Sequence, residues 1–426
     1  MLVQTLLLIA CLGYRAFSIP TPSPDTHQRR SFKVESIRRD NDIQGLVALR
    51  QAYRKYGINP IDLGVELPDF EPVALMNAVA KKNVSEPEAA GAVSAASVQE
   101  DAAFVSPVTV GGQKIMMSFD TGSADLHIRS WVMNPNVAGI DLAGREVFNV
   151  SNSTTFQKMN DATFRISYGD RSYAWGYVGT DTVNIGGAVV SGQAIGIPTT
   201  VSNFFLEDTH YNGLAGFAFS TVSTMRPRQQ KNFLENLAKD LDEPVLTASL
   251  KPKAVGEYEF GFVDPDKYRG ELVNITVDPS SGFWQIPSLH YKIGDGTLIK
   301  RDNATPAIAD TGTTLMLLDD EVVKAYYAQV PNAALLVSVG GYTYPCSQTL
   351  PDLSVGFGDS HLAYLPGAFL GYSQVGTNRT TGEPVCFGGV QSNRGSKMQV
   401  LGDVFLKAFY VVFDLRGPSI AIATPR

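Results

Sequence analysis

Short apolar runs separated by glycine-rich turns recur from about residue 100 to the end of the chain. Residues 104–110 are rich in Val and Phe and lead into Gly111-Gly112, the pattern of a strand followed by a tight turn. Ile and Met lie between polar residues in Lys114–Phe119, which predicts the next strand. Helix-like patterns are few in this region, at Gln230–Leu241 and Asp319–Gln329. The pattern therefore predicts a protein built mainly of strands.

The first 18 residues have the pattern of a secretory signal peptide. Leu2–Leu12 is an apolar run too short to span a bilayer comfortably, and Ala16-Phe17-Ser18 places small residues at the cleavage spacing. A buried N-terminal strand or helix is the alternative interpretation. No later run reaches membrane-spanning length, and residues 419–426 lack a hydrophobic anchoring tail, so no membrane anchor is expected.

Residues 19–90 are predicted to form a propeptide ahead of the strand-rich body. The stretch His27–Lys55 is basic, and five apolar or aromatic residues in it have helix-like spacing: Ile43, Leu46, Val47, Leu49 and Tyr53. Residues 89–97 are rich in Ala and Ser, which indicates an exposed linker that a protease can cut. Lys81-Lys82 offers a dibasic processing site, and self-cleavage nearby is an equal alternative.

Length and charge limit the possible functions. A chain of 426 residues is too long for one ordinary core, so two or more structural units are expected. The net charge of −7 argues against a broad basic surface for nucleic acid. Residues 1–60 contain 9 Lys and Arg against 4 Asp and Glu, whereas the rest of the chain carries the acidic excess. The basic segment can either dock on the acidic body or remain a flexible, solvated arm.

Cysteine and sequon content fit an exported protein. Cys11 would leave with the signal peptide, so the mature chain keeps Cys346 and Cys386. We expect this single pair to form one disulfide in an oxidising compartment, with two unpaired buried thiols as the alternative. Besides Asn83 in the propeptide, five N-x-Ser/Thr sequons are glycosylation candidates: Asn149, Asn152, Asn274, Asn303 and Asn378.

The triplet Asp-Thr-Gly occurs twice, 190 residues apart, each time after an apolar run. The two copies, each with the hydroxyl residue that follows, are Asp120, Thr121, Gly122 and Ser123, and Asp310, Thr311, Gly312 and Thr313. An acid at a strand end followed by a small-residue turn aims a carboxylate out of a sheet, so two carboxylates are expected to meet. Leu214-Ala215-Gly216 and Val400-Leu401-Gly402 follow at similar distances, which indicates an internal duplication.

Together these segments resemble a pepsin-like aspartic endopeptidase of peptidase family A1, of the secreted fungal aspergillopepsin or penicillopepsin type. The resemblance covers residues 100–426 and includes Ser167-Tyr168-Gly169-Asp170, Phe283-Trp284 and the two cysteines, while residues 32–57 resemble the family's propeptide. It implies an all-β, bilobal fold, in which two β-barrel-like lobes are related by a pseudo-twofold axis and the active-site cleft lies between them. We expect an N-terminal lobe over 91–270 and a C-terminal lobe over 271–426.

The resemblance implies that Asp120 and Asp310 are the catalytic pair. Two carboxylates about 3 Å apart cannot both ionise cheaply, so they share one proton and titrate as a unit. The ionised member takes a proton from a water that attacks the peptide carbonyl, and the protonated member donates a hydrogen bond to the carbonyl oxygen. An acidic pH optimum follows. A surface turn acid is the alternative for either aspartate.

The resemblance also assigns supporting roles around this pair. Gly122 and Gly312 let the backbone approach the aspartates, and Ser123 and Thr313 are expected to bond their outer oxygens. Thr121 and Thr311 are expected to bond across to the opposite loop. For these hydroxyl residues, a local turn hydrogen bond is the alternative.

A hairpin flap over the cleft is the next implied feature. It would consist of Tyr168, Gly169 and Asp170, with Tyr168 packing on substrate and Asp170 admitting Lys before the cut, although a plain hairpin turn is the alternative. Two residues depart from the family pattern: Arg171 stands where relatives have Gly, and His127 where they have Trp. His127 could replace the indole as a hydrogen-bond donor to Tyr168 or be a plain core or surface histidine.

Residues Lys55 and Tyr56 resemble the propeptide segment that lies in the cleft of an inactive zymogen, where a Lys ammonium pairs with both aspartates. The expected function is a secreted, extracellular, monomeric aspartic endopeptidase that prefers large hydrophobic residues at the cleavage site. Its expected partners are protein and peptide substrates, its own propeptide and pepstatin-type inhibitors, with no metal, cofactor or nucleic acid. The rival hypothesis is a catalytically inactive binding protein of the same fold.

Overall fold

A computed structural model describes residues 31–38, 45–58, 70–72, 104–128, 147–167, 173–201, 212–252 and 254–426. The predicted signal peptide, the predicted flap residues Tyr168, Gly169 and Asp170, the dibasic site and the sequon at Asn83 lie outside these residues.

Strands dominate the described residues. Up to residue 260 they are β1 (Phe32–Arg38), β2 (Phe70–Pro72), β3 (Phe104–Val110), β4 (Gln113–Asp120), β5 (Leu126–Ile128), β6 (Gln157–Ser167), β7 (Tyr173–Ile185), β8 (Ala188–Val201), β9 (Gly213–Gly216), β10 (Val245–Ser249) and β11 (Gly256–Phe260). Beyond it they are β12 (Tyr268–Thr276), β13 (Gln285–Ile286), β14 (His290–Ile293), β15 (Ile299–Lys300), β16 (Ala307–Ala309), β17 (Met316–Leu318), β18 (Ala334–Leu336), β19 (Gly341–Pro345), β20 (Leu353–Phe357), β21 (His361–Leu365), β22 (Gly371–Asn378), β23 (Pro384–Gly388), β24 (Val390–Ser392), β25 (Gln399–Leu401), β26 (Tyr410–Asp414) and β27 (Ser419–Pro425). The α-helices of the described residues are α1 (Gly45–Lys55), α2 (Phe233–Leu237), α3 (Asp320–Tyr327) and α4 (Asp403–Leu406).

These strands form two β-rich lobes joined by a shared central sheet. Strands β3 to β9 make the first lobe, and β13 to β25 make the sheets of the second. The central sheet has the order β12-β27-β26-β10-β11-β1, so both halves of the chain contribute to it. Strand β12 crosses residue 270, where the sequence had placed the division between lobes. The all-β, bilobal prediction is confirmed.

The two lobes repeat one pairing scheme, which gives the fold its pseudo-twofold symmetry. In the first lobe β4 runs parallel to β9, β9 antiparallel to β5, and β5 parallel to β8. In the second lobe β16 runs parallel to β25, β25 antiparallel to β17, and β17 parallel to β24. The duplicated apolar-apolar-Gly segments are the strands β9 and β25. Strand β9 ends in Gly216, and Gly402 directly follows β25. A Cβ on Gly216 would lie 2.5 Å from the Ser123 carbonyl oxygen, and one on Gly402 would lie 2.3 Å from that of Thr313, so neither position has room for a side chain.

The N-terminal segment is part of the folded structure. Strand β1 pairs antiparallel with β11 and β3, and β2 pairs antiparallel with the edge strand β22. The residues of α1 that face the second lobe are almost fully buried and join its hydrophobic core: Ala48, Leu49, Ala52 and Tyr53. The described parts of residues 31–72 are therefore docked on the body rather than forming a solvated arm.

The predicted disulfide and sequons can be placed on this fold. Cys346 and Cys386 are bonded, which ties β23 to the residue after β19. Asn152, Asn274 and Asn303 are exposed, whereas Asn149 and Asn378 are half-buried and accept backbone hydrogen bonds through their side chains. Among the helices of the described residues, none is long and apolar enough to cross a membrane.

Candidate active site

Asp120 and Asp310 occupy equivalent places in the two lobes. Asp120 is the last residue of β4, and Asp310 directly follows β16. Both side chains are buried, with exposures of 1% and 0%. Because β4 and β16 are the matching strands of the repeated scheme, the duplication brings one carboxylate from each lobe to the same point.

The two threonines of the triplets join the lobes directly beneath the carboxylates. The backbone N–H of Thr121 donates to Thr311 Oγ1 at 3.1 Å, and the backbone N–H of Thr311 donates to Thr121 Oγ1 at 3.0 Å. Each hydroxyl in turn donates to a carbonyl of the other lobe, Thr121 to Ala309 and Thr311 to Phe119, both at 2.8 Å. This reciprocal set fixes the two loops relative to each other through buried, fully paired polar groups.

Each aspartate also accepts matching hydrogen bonds within its own loop. Oδ1 of Asp120 accepts from the Gly122 N–H at 2.8 Å, and its Oδ2 accepts from the Ser123 hydroxyl at 2.8 Å. Oδ1 of Asp310 accepts from the Gly312 N–H at 2.9 Å, and its Oδ2 accepts from the Thr313 hydroxyl. The four bonds orient both carboxylates in the same way within their own loops.

The glycines of the triplets are required by close approach. A Cβ on Gly122 would lie 2.6 Å from Asp310 Oδ1, and a Cβ on Gly312 would lie 2.4 Å from Asp120 Cγ. Real side chains do not come this close, so any larger residue would displace the opposite carboxylate.

The C-terminal end of α1 reaches this pair. Lys55 Nζ lies 2.6 Å from Asp120 Oδ1 and 2.9 Å from Asp310 Oδ2, so one ammonium contacts both carboxylates. The hydroxyl of Tyr56 donates to Asp310 Oδ2 at 2.5 Å. In this state the N-terminal segment occupies the space above the aspartates.

The pKa of Asp120 is raised and that of Asp310 is lowered, because burial and the nearby charges act on the two carboxylates with a different balance. Burial raises the pKa of Asp120, which Lys55 opposes and Asp310 reinforces, so it lies above its usual range. Burial also favours a higher pKa for Asp310, but Lys55 and the donors around this carboxylate outweigh it and hold the pKa low. The pair therefore titrates as a unit that holds one proton while keeping one negative charge to low pH.

Lys55 itself stays charged. Burial alone would lower the pKa of the ammonium, yet the two carboxylates outweigh that effect and hold it above its usual range. The protonation state of the aspartates, not of Lys55, therefore decides whether this contact is attractive.

His127 lies in the short strand β5 and is 9% exposed. Its ring stacks on Phe164 with the centroids 6.3 Å apart. Burial lowers the pKa of His127 to about 4, against the opposing charge of Asp125. The predicted contact of His127 with Tyr168 stays a prediction, because Tyr168 lies outside the described residues. The alternative that His127 is a surface histidine is wrong, because its side chain is buried.

Two contacts near the site were not predicted from the sequence. Asp125 Oδ2 accepts from the backbone N–H and the hydroxyl of Thr224 at 2.8 and 2.6 Å, which anchors the loop after the first aspartate. On the other side, Tyr53 of α1 contacts Arg394 of the second lobe. Partners 99 and 341 residues apart leave no local pattern, so only the fold reveals them.

The described residues contain no group of three or more His, Cys, Asp or Glu side chains placed to hold a metal ion. Two carboxylates held at one point by both lobes can transfer protons to and from a bound molecule.

Comparison with known proteins agrees with this geometry. The model of the eukaryotic aspartyl protease family matches residues 103–425. The chain belongs to this family. It is 58% identical over 429 residues to an aspergillopepsin A-like aspartic endopeptidase of Aspergillus fumigatus, covering 100% of this chain and 99% of the relative.

More distant aspartyl proteases align over most of the chain as well. Aspergillopepsin-1 of Aspergillus flavus is 38% identical across 96% of this chain and 95% of its own length. Penicillopepsin-1 of Penicillium rubens is 40% identical across 83% of this chain and 87% of its own. This aspartyl protease is therefore an aspartic-type endopeptidase with a pepsin-like bilobal fold, which acts on proteins.

Proposed function

We propose that this endopeptidase is made as a secreted, inactive precursor and hydrolyses peptide bonds at acidic pH with Asp120 and Asp310. The observation that carries the proposal is the single Lys55 ammonium within 3.0 Å of oxygens from both buried carboxylates. One ammonium can contact both carboxylates because the two strand ends bring them to the same point.

In the active enzyme, a water molecule and a peptide occupy the place that Lys55 has beside the two aspartates. The two aspartates share one proton. The ionised carboxylate takes a proton from the water as the oxygen attacks the carbonyl carbon. The protonated carboxylate donates to the carbonyl oxygen and stabilises the diol that forms. A proton then passes to the leaving nitrogen as the C–N bond breaks, and the pair is restored. Thr121, Thr311, Ser123 and Thr313 hold the carboxylates in place throughout.

The N-terminal segment supplies the inhibition. Residues 1–18 are the proposed signal peptide and 19–90 the propeptide, in which Lys55 and Tyr56 block the pair. The blocking contact depends on negative charge on the aspartates, so acid weakens it. We propose that release occurs after secretion, that the mature chain keeps lobes of about residues 91–270 and 271–426, and that it acts as a monomer.

Substrate choice is proposed to follow the family pattern. A cleft between two β-lobes, closed by a flap at Tyr168, Gly169 and Asp170, favours large hydrophobic residues at the cleavage site. Glycans on the five sequons outside the propeptide would be compatible with this arrangement where the side chain is exposed.

The test uses the secreted full-length chain and an Asp120→Asn variant. After acid treatment, we expect the wild type to lose its N-terminal segment and to digest denatured haemoglobin at roughly pH 3–5, with complete block by pepstatin. The Asn variant should be secreted and folded yet inactive. Pepstatin-resistant cleavage, or cleavage retained by the variant, would overturn the proposal. A folded chain that binds peptides without cleaving them would instead support the inactive binding protein.

A further inference from the structure

The contact between Tyr53 and Arg394 forms a second polar site beside the aspartates. The Tyr53 hydroxyl donates to the Ser392 carbonyl at 2.7 Å and accepts from Arg394 Nε at 3.1 Å. The guanidinium carbon also lies 5.5 Å from the centre of the Tyr53 ring. We call the space between the Ser392 carbonyl and the Arg394 guanidinium the Arg394 pocket. Tyr53 is only 4% exposed, so its side chain is almost completely enclosed while the N-terminal segment is docked.

The pocket belongs to the body of the enzyme, and only its occupant comes from the N-terminal segment. Arg394 donates a second hydrogen bond to the Gly340 carbonyl at 3.2 Å, and its backbone N–H donates to Ser392 Oγ at 2.8 Å. Ser392 Oγ in turn donates to Asp320. These contacts do not involve Tyr53 and hold the guanidinium in position.

The backbone of Arg394 indicates a functional position. Its φ of 49° lies in the left-handed region, which is uncommon for residues with a side chain. Such conformations cost energy and persist where surrounding contacts impose them, often at binding sites. Here the conformation directs a long cationic side chain at the space that Tyr53 fills.

The pocket lies within reach of a substrate in the cleft. Tyr53 precedes Lys55 by two residues, and a helix rises about 1.5 Å per residue with a diameter of about 10 Å. Residues two apart lie on roughly opposite sides of a helix, so the pocket is about 10–15 Å from the aspartates. An extended peptide advances roughly 3.3 Å per residue, so a side chain about three to four residues from the cut bond would reach it.

We propose that Arg394 is a specificity-determining residue and that its pocket selects a tyrosine side chain in the substrate once the N-terminal segment has left. This inference rests on the proposed function and names a substrate feature of that same cleft. A phenol offers both an aromatic face for the guanidinium and a hydroxyl for the carbonyl. A phenylalanine side chain keeps the aromatic contact with the guanidinium but lacks the hydroxyl that bonds the carbonyl. At the acidic end of the working range, near pH 3, glutamate is largely protonated, so it gains little from the cation.

The experiment measures cleavage by the acid-processed enzyme of peptides that carry Tyr or Phe at each of the four positions on either side of the cut bond. At one position we expect Tyr to be preferred by about tenfold in kcat/KM, the effect of one hydrogen bond to a charged group. The preference should appear in KM rather than kcat, because the contact is equally strong in the bound substrate and in the transition state.

Variants of Arg394 and of a control arginine test whether the preference for Tyr comes from the Arg394 pocket. Arg394→Asn removes the guanidinium but suits the left-handed backbone, and it should bring Tyr and Phe to near equality. Arg394→Lys should restore part of the preference. Arg269→Asn, which removes an exposed arginine of β12, should leave it unchanged. No preference in the wild type, or an undiminished one in Arg394→Asn, would overturn the inference.

A second measurement needs no enzyme variant. A synthetic peptide of residues 45–58 should inhibit the processed enzyme about tenfold more strongly than the same peptide with Tyr53→Phe. Equal inhibition contradicts the inference. Cleavage that is resistant to pepstatin would contradict the proposed function instead, so the two failures are distinguishable.

Discussion

Replacing Lys55 with methionine is expected to release the N-terminal segment from the aspartates at neutral pH. The substitution keeps the length of the side chain but removes the ammonium that lies 2.6 Å from Asp120 and 2.9 Å from Asp310. Removing one partner of a buried ion pair costs about 3–5 kcal/mol. The aspartates keep their other donors and can hold a shared proton, so we take the lower end, about 3 kcal/mol, or about 100-fold weaker retention of the segment.

The pH dependence gives the sharper test. Lys55 and the neighbouring donors outweigh burial and hold the pKa of Asp310 low. Their stabilisation of the docked segment is therefore complete above the ordinary aspartate pKa of about 3.9. It is lost as the pH falls from that value toward the lowered one. In Lys55→Met this attraction is absent, so opening should occur at neutral pH and depend less on acid.

Binding of a fluorescent pepstatin analogue between pH 7 and pH 3 would report opening, with gel electrophoresis to separate opening from cleavage. Lys33→Met is the matched control, because Lys33 lies in the same segment, is half-exposed and pairs with Glu257 of the central sheet, away from the aspartates. Wild-type behaviour of Lys55→Met, or equal opening in the Lys33 control, would refute the reasoning.

Three further predictions address other parts of the structure. Replacing both Cys346 and Cys386 with alanine should lower the free energy of unfolding by roughly 4 kcal/mol in urea titrations, since the bond closes a loop with a separation of 40 residues. Gly122→Ala should lower kcat at least about 100-fold while the protein stays folded, because the new methyl group would lie 2.6 Å from an oxygen of the opposite carboxylate. Burial lowers the pKa of the His127 imidazole to about 4, so the wild type should lose thermal stability as the pH falls from about 6.5 to about 4. The variant His127→Phe should not show this loss. An unchanged pH dependence of Tm in this variant would show that His127 is not the titrating group.

The N-terminal segment holds to the body at three separate places. Strand β1 enters the central sheet, α1 and Lys55 cover the aspartates, and β2 extends the sheet of the second lobe at β22. Acid acts directly on the contact with the aspartates and on the ion pair of Lys33 with Glu257, but not on the backbone hydrogen bonds of β1 and β2. Removal of the whole segment therefore requires the two strand pairings to break as well, after the cleft has opened.

Much of the site was predictable because the chain encodes it twice. Two Asp-Thr-Gly triplets, each followed by an apolar-apolar-Gly segment, indicated two matching strand ends and hence two carboxylates that meet. The hydroxyl residues Ser123 and Thr313 lie three positions after each aspartate, and the family resemblance implied the bonds that they form. The strand-rich fold followed from the same pattern of short apolar runs and glycine turns.

The sequence by itself indicated four features: the pair of aspartates, the residues that orient them, the basic segment that contacts them and the cysteine pair. Tertiary structure decided which distant residues meet. The contact of Tyr53 with Arg394, the bond of Asp125 to Thr224 and the burial of His127 depend on how sheets far apart in the chain pack together. Local spacing carries no record of such contacts, because their strength comes from shared burial after folding.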